Sequence, residues 1–80
     1  MKKNIKIYRS EINIIDKSLI KLLSKREKIA KKIGKLKSIQ KIDITDKKRE
    51  KEIFKKTKSK FVKSVFIQII KSSKKLQKRY

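Results

Sequence analysis

Apolar residues fall along the first half of the chain in an unbroken alternation of three- and four-residue steps. The series is Ile5, Tyr8, Ile12, Ile15, Leu19, Leu22, Arg26, Ile29, Ile33 and Leu36, with Ile14, Ile20, Leu23 and Ala30 widening it into a fuller face. Such spacing keeps one side chain per turn on the same side of an α-helix, so it predicts a single amphipathic helix over about 5–39. At ~1.5 Å per residue that helix would be roughly 50 Å long. Two short helices cannot cover so long an apolar seam, which predicts a second copy of the chain lying against it.

The pattern breaks over Ser38–Thr45 and resumes after Asp43-Ile44-Thr45-Asp46, where Thr45 or Asp46 suits a helix N-cap. A second helix is expected over about 45–58 with Ile53, Phe54 and Thr57 inward. The stretch Lys58-Ser59-Lys60 is the candidate turn before a third helix, about 61–77, carrying Phe61, Val62, Val65, Phe66, Ile69, Ile70, Ser73, Leu76 and Gln77. With no proline and one glycine, the fold class is all-α: one long and two short helices forming a single domain over 1–80.

Composition removes several chemistries. There is no cysteine and no histidine, hence no disulfide, no thiolate metal site and no Ser-His triad. An enzyme built from this chain works by binding and electrostatics, or with carboxylates and lysines. No apolar run approaches membrane-spanning length, which sets the expectation of a soluble cytoplasmic protein without membrane association. The net charge of +21 is spread along the whole chain with little aromatic interleaving. That argues against nucleic acid as the partner and for solvated helical faces under a general lysine bias, although a basic helical nucleic-acid binder stays open as an alternative.

Within that bias only four of 28 basic residues are arginine: Arg9, Arg26, Arg49 and Arg79. Arginine offers a planar fork to a carboxylate, which lysine cannot, so these are the first positions to consider for anion recognition. Arg26 is the one charged member of the apolar seam, and a buried guanidinium requires an anion nearby. Lys37 lies eleven residues on, on nearly the same face, with Ala30 and Gly34 between them. The two small residues would leave room for a small dianion held at both ends. A plainer reading pairs Arg26 with a partner's glutamate and leaves Lys37 in water. Asp46, Arg49 and Glu50 share one face of the second helix, as a ligand-facing group or a surface salt bridge. Ser73 and Gln77 extend the third helix's apolar stripe with hydrogen-bonding groups, toward something enclosed or at a solvated helix end. Arg9 precedes Arg26 by seventeen residues, about 25 Å along one helix. One small ligand could meet both only if the Arg9 came from an antiparallel partner chain.

Tyr8-Arg9-Ser10-Glu11-Ile12, Ile15-Asp16, Leu22-Leu23-Ser24-Lys25-Arg26 and Ile33-Gly34-Lys35-Leu36-Lys37 together resemble the long first helix of the AroQ-type, all-helical chorismate mutases. Asp46-x-x-Arg49-Glu50 resembles that family's second-helix motif, and Phe66–Gln77 its third helix. The resemblance implies an intertwined antiparallel homodimer with shared sites and an isomerase converting chorismate to prephenate without any cofactor or metal. It would serve phenylalanine and tyrosine biosynthesis on the shikimate pathway. It further implies that Arg26 and the partner's Arg9 bind the substrate carboxylates with Ser73 assisting, and that Arg49 supports the charged network. Asp46 and Glu50 would orient the ring hydroxyl, and Lys37 and Gln77 would donate to the breaking ether oxygen. An isochorismate–pyruvate lyase of the same fold, and a non-catalytic dimer regulating another enzyme, are the neighbouring alternatives. One departure stands out: the second connection is shorter than usual for the family, so its helices are expected to be trimmed or partly fused.

Overall fold

The computed structural model describes residues 2–80, with side chains described from Asn4 onward. It contains three helices, α1 (Lys2–Gln40), α2 (Lys47–Lys56) and α3 (Lys60–Gln77). The described chain measures 57 × 24 × 14 Å, with a radius of gyration of 16.4 Å. A compact domain of this length would have a radius near 12 Å. The excess comes from α1, whose N-terminal half projects beyond the other two helices.

Each helix end has a local cause. α1 stops in a Schellman arrangement: Ile42 N–H donates to Lys37 C=O at 2.9 Å and Lys41 N–H to Ser38 C=O at 3.4 Å, with Lys41 at φ 56°. Asp46 caps α2, its Oδ1 accepting from Arg49 N–H at 3.0 Å. Ser59 caps α3, its Oγ accepting from Val62 N–H at 3.0 Å. The short second connection therefore does not fuse the helices. Thr57 and Ser59 take extended backbone angles, and α2 is trimmed to 10 residues, beginning and ending inside the expected 45–58.

α3 folds back on the C-terminal half of α1, and α2 bridges onto α3. Ala30, Gly34 and Ile70 are the buried residues at that junction. A Cβ built on Gly34 would lie 2.8 Å from Gln77 Cα and 3.0 Å from Tyr80 Cδ2. The space expected beside Gly34 for a ligand is thus taken by α3 itself. Two helices approach this closely only where a side chain is missing.

The seam that predicted α1 is uncovered over most of its length. Tyr8 and Ile15 are each 61% exposed and Leu22 is 61% exposed, while Phe61 at the start of α3 is 76% exposed. Isolated surface apolar residues need no explanation, but a continuous stripe of them does.

Lys41 occupies the left-handed position that glycine normally takes at a helix C-terminus. Lys41→Gly should stabilise the protein by about 0.5–1 kcal/mol, because the left-handed penalty removed exceeds the chain entropy glycine adds. Urea unfolding of both proteins at matched concentration checks this; a loss of stability would contradict the C-cap assignment.

Candidate active site

The three helices enclose one small polar cavity of about 240 Å³. α1 lends it Arg26 and Lys37; α2 and its cap lend Asp46, Arg49 and Glu50; α3 lends Ser73, Lys74 and Gln77. Ile33, Ile44, Ile53 and Ile70 form its apolar walls. Seven of the sequence-derived candidates thereby meet around one space. Arg9 does not: it sits on the exposed N-terminal part of α1, away from the cavity.

Arg26 is held in place by a relay. Its Nη1 donates to Ser73 Oγ, and Ser73 Oγ–H donates back along α3 to Ile69 C=O at 2.9 Å. Neither partner carries charge. Among the described residues Arg26 makes no ion pair, and its pKa is lowered, first by burial and then by the charge of Arg49. Arg49, exposed on α2, thus adds a like charge near the partly buried Arg26. The cavity's own carboxylates, Asp46 and Glu50, are engaged by the α2 backbone and by Lys74, and neither pairs with Arg26.

The other groups are poised differently. Lys37 Nζ donates to the Ile44 carbonyl at 3.0 Å, which fastens the ammonium to the loop leading into α2 while leaving it two further protons. The Asp46 carboxylate is partly committed to capping α2. Glu50 Oε2 lies 2.9 Å from Lys74 Nζ, an ion pair without a well-aligned hydrogen bond, and is enclosed. Gln77 Oε1 is enclosed with no hydrogen-bond partner among the described residues. Buried polar atoms are nearly always satisfied, and while Glu50 Oε2 has the Lys74 ammonium beside it, Gln77 Oε1 has no partner among the described residues.

Lys74 is the pocket residue that the sequence did not single out. In a chain with 28 basic residues one more lysine, even three before Gln77, carries no signal of its own. Only the fold shows that it faces Glu50 rather than water.

A second, larger groove of about 480 Å³ runs between α1 and α3. Its walls are mostly apolar, including Ile20, Leu23, Val65 and Ile69, and it shares Arg26 and Ser73 with the polar cavity. No described helix is long and apolar enough to cross a membrane, and no group of acidic residues among those described could hold a metal ion.

The fold is all-helical, and its three helices meet around a small pocket that gathers cations, carboxylates, an amide and a hydroxyl. The chain belongs to the chorismate mutase type II family, whose profile matches residues 8–78. Over 52 residues it is 44% identical to a bifunctional chorismate mutase/prephenate dehydratase from Aquifex aeolicus (strain VF5), an alignment covering 65% of this chain. The chain spans 14% of that relative's length. Its fold also matches a conserved hypothetical protein from Pyrococcus furiosus, with a TM-score of 0.82 and 38% identity, covering 92% of this chain and 95% of the other.

Arg49→Gln should leave the ligand-free protein no less stable, and up to about 0.5 kcal/mol more stable, because it removes a repulsion without opening the core. The same change should weaken the stabilisation conferred by an added small dicarboxylate. Thermal unfolding with and without the dianion reads both effects; a marked loss of stability in the ligand-free variant would show that Arg49 is structural.

Proposed function

We propose that this protein is a chorismate mutase, rearranging chorismate to prephenate within the pocket between its three helices. The observation that carries the reading is Arg26, without an ion pair among the described residues, gathered with Arg49 and Lys37 around one cavity whose carboxylates, Asp46 and Glu50, are engaged elsewhere. That arrangement suits a small molecule carrying two carboxylates. The cavity lies below the range of about 300–1,000 Å³ usual for drug-sized ligands, which fits a compact substrate.

The reaction breaks an ether C–O bond and forms a C–C bond within one molecule. It needs neither nucleophile nor external proton, so a site without histidine or cysteine suffices. The enzyme's work is to hold an extended dianion in a folded, chair-like geometry and to stabilise charge growing on the ether oxygen. Arg26, backed by Ser73, would bind one carboxylate, with Arg49 supporting the charged network. Lys37 has protons free beyond its bond to Ile44, and Gln77, which lines the cavity, carries an Nε2 amide donor; these two would donate to the ether oxygen. Asp46 and Glu50 would receive the ring hydroxyl, Glu50 with its enclosed Oε2 held by Lys74.

The second carboxylate calls for Arg9 from another copy. The uncovered seam of α1 and the apolar groove beside Arg26 both fit an antiparallel α1 from a partner subunit. A two-fold axis crossing α1 midway between Arg9 and Arg26, near Lys17 and Ser18, would bring each Arg9 beside the other chain's Arg26. The working form is then a homodimer with two shared sites. Nothing in this mechanism calls for a cofactor or metal, and the activity fits a soluble, cytoplasmic enzyme of aromatic amino acid biosynthesis.

Incubating the purified protein with chorismate should yield prephenate; pyruvate release from isochorismate run in parallel would reassign it as a lyase. Arg26→Ala should leave a helical dimer while turnover falls by orders of magnitude, and near-normal turnover would overturn the site. Lys37→Ala should lower kcat by about 100- to 1,000-fold, as loss of a donor to developing charge does elsewhere. Mixing inactive Arg9→Ala and Arg26→Ala subunits tests the shared site. Random exchange makes half the dimers mixed, each with one intact site, so activity should recover to about a quarter of wild type. No recovery after verified exchange would place each site within a single chain.

A further inference from the structure

Gln77 is the last residue of α3, and a side chain there should wander as the final turn frays. Its side-chain Oε1 is nonetheless fully enclosed in the pocket. Several contacts oppose fraying. Gln77 Cα and carbonyl oxygen lie 2.8 Å and 3.2 Å from where a Cβ on Gly34 would stand, so the end of α3 rests directly on the α1 backbone. Beyond Gln77 the chain turns back, with Tyr80 N–H donating to Gln77 C=O at 3.4 Å. The Tyr80 ring then covers Gly34, with its Cδ2 3.0 Å from the same position, and Lys35 Nζ stands 5.5 Å from the ring centroid. Finally, Ser38 Oγ–H donates to Tyr80 C=O at 2.6 Å. Gly34, Lys35 and Ser38 thus form one face of α1 that grips the residues on either side of the Gln77 carbonyl.

The geometry points to a clamp in which Gly34 and Ser38 of α1 hold Tyr80, and through it the position of Gln77, so that these three are positioning residues for the rearrangement. The inference rests on the mutase reading, in which Gln77 donates to the breaking ether bond. None of the three lines the pocket, so none touches the substrate. Their influence is on where the Gln77 amide sits, and misplacing a reacting group by about 1 Å can cost about 100-fold in rate. The ring and main chain of Tyr80 make the clamp; among the described residues its hydroxyl makes no hydrogen bond, so phenylalanine should replace it.

The test measures kcat and KM for chorismate in Gly34→Ala, Ser38→Ala, Tyr80→Ala and Tyr80→Phe, each alone and combined with Gln77→Ala. Gly34→Ala and Tyr80→Ala should lower kcat by about 10- to 100-fold with KM little changed. Ser38→Ala should do so more weakly, and Tyr80→Phe should retain most of the turnover that Tyr80→Ala loses. In the Gln77→Ala background the same changes should have almost no further effect, because their route to the chemistry is gone. Full additivity in that background, or losses confined to KM, would overturn the clamp. Should Gly34→Ala fail to fold, Tyr80→Ala carries the test, its contact being on the surface of the junction. Should the wild-type protein turn over no chorismate, the mutase reading fails separately. The clamp is then read from the Gln77 side-chain amide resonance, which should shift in Tyr80→Ala and return in Tyr80→Phe; an unmoved resonance would overturn it.

Discussion

The contact between α3 and the C-terminal half of α1 governs the rest of the molecule. It forms where Gly34 lets the backbone of Gln77 come within the space a side chain would fill. Burial in the single chain is concentrated there, at Ala30, Gly34 and Ile70. Once α3 is seated, Ser73 meets Arg26, Lys74 meets Glu50, and Gln77 is enclosed at the end of the pocket. α2 needs little strength of its own. Ten residues capped by Asp46 suffice to present Arg49 and Glu50, because α3 supplies the surface they rest on.

The pocket's electrostatics follow from how that packing distributes charge. Of the cavity's two carboxylates, Glu50 is engaged by Lys74 and Asp46 by the α2 backbone. Arg26 is left with a hydroxyl and faces Arg49. Such a cluster is poor design for stability; under the proposed function it suits an anion, because the cost of gathering the charges is met in advance of binding. The surrounding lysines add a broad positive field that would draw a dianion inward, most strongly at low salt.

The remaining surface argues for a partner of the same kind. A seam of isoleucine, leucine and tyrosine over the N-terminal half of α1 has no cover within the chain, and the groove between α1 and α3 adjoins it. Burying it against a second α1 would add to the small core that the single chain buries at Ala30, Gly34 and Ile70. In the proposed dimer the seam and the site are one problem, because the helix that covers the seam is the one that carries Arg9.

Fold class was readable from periodicity alone: the three-four alternation named α1, and the Asp46 and Ser59 regions marked the starts of α2 and α3. Arg26 stood out as the one charge on an apolar stripe, and Lys37, Asp46, Arg49, Glu50, Ser73 and Gln77 through their spacing and their likeness to a family pattern. Such features are local, and helical geometry translates them directly into faces. What no local rule could supply was which residues fill a space. Ala30 and Gly34 suggested room for a ligand, yet the gap at Gly34 holds α3. Lys74 was one lysine among many until packing turned it toward Glu50, and Tyr80 lay outside every pattern until it closed over Gly34. Sequence by itself determined the helices and the charges they carry, because both depend on neighbours within a turn or two. Tertiary structure alone decided which charges face each other and which gaps stay open, because those depend on how closely two backbones can approach.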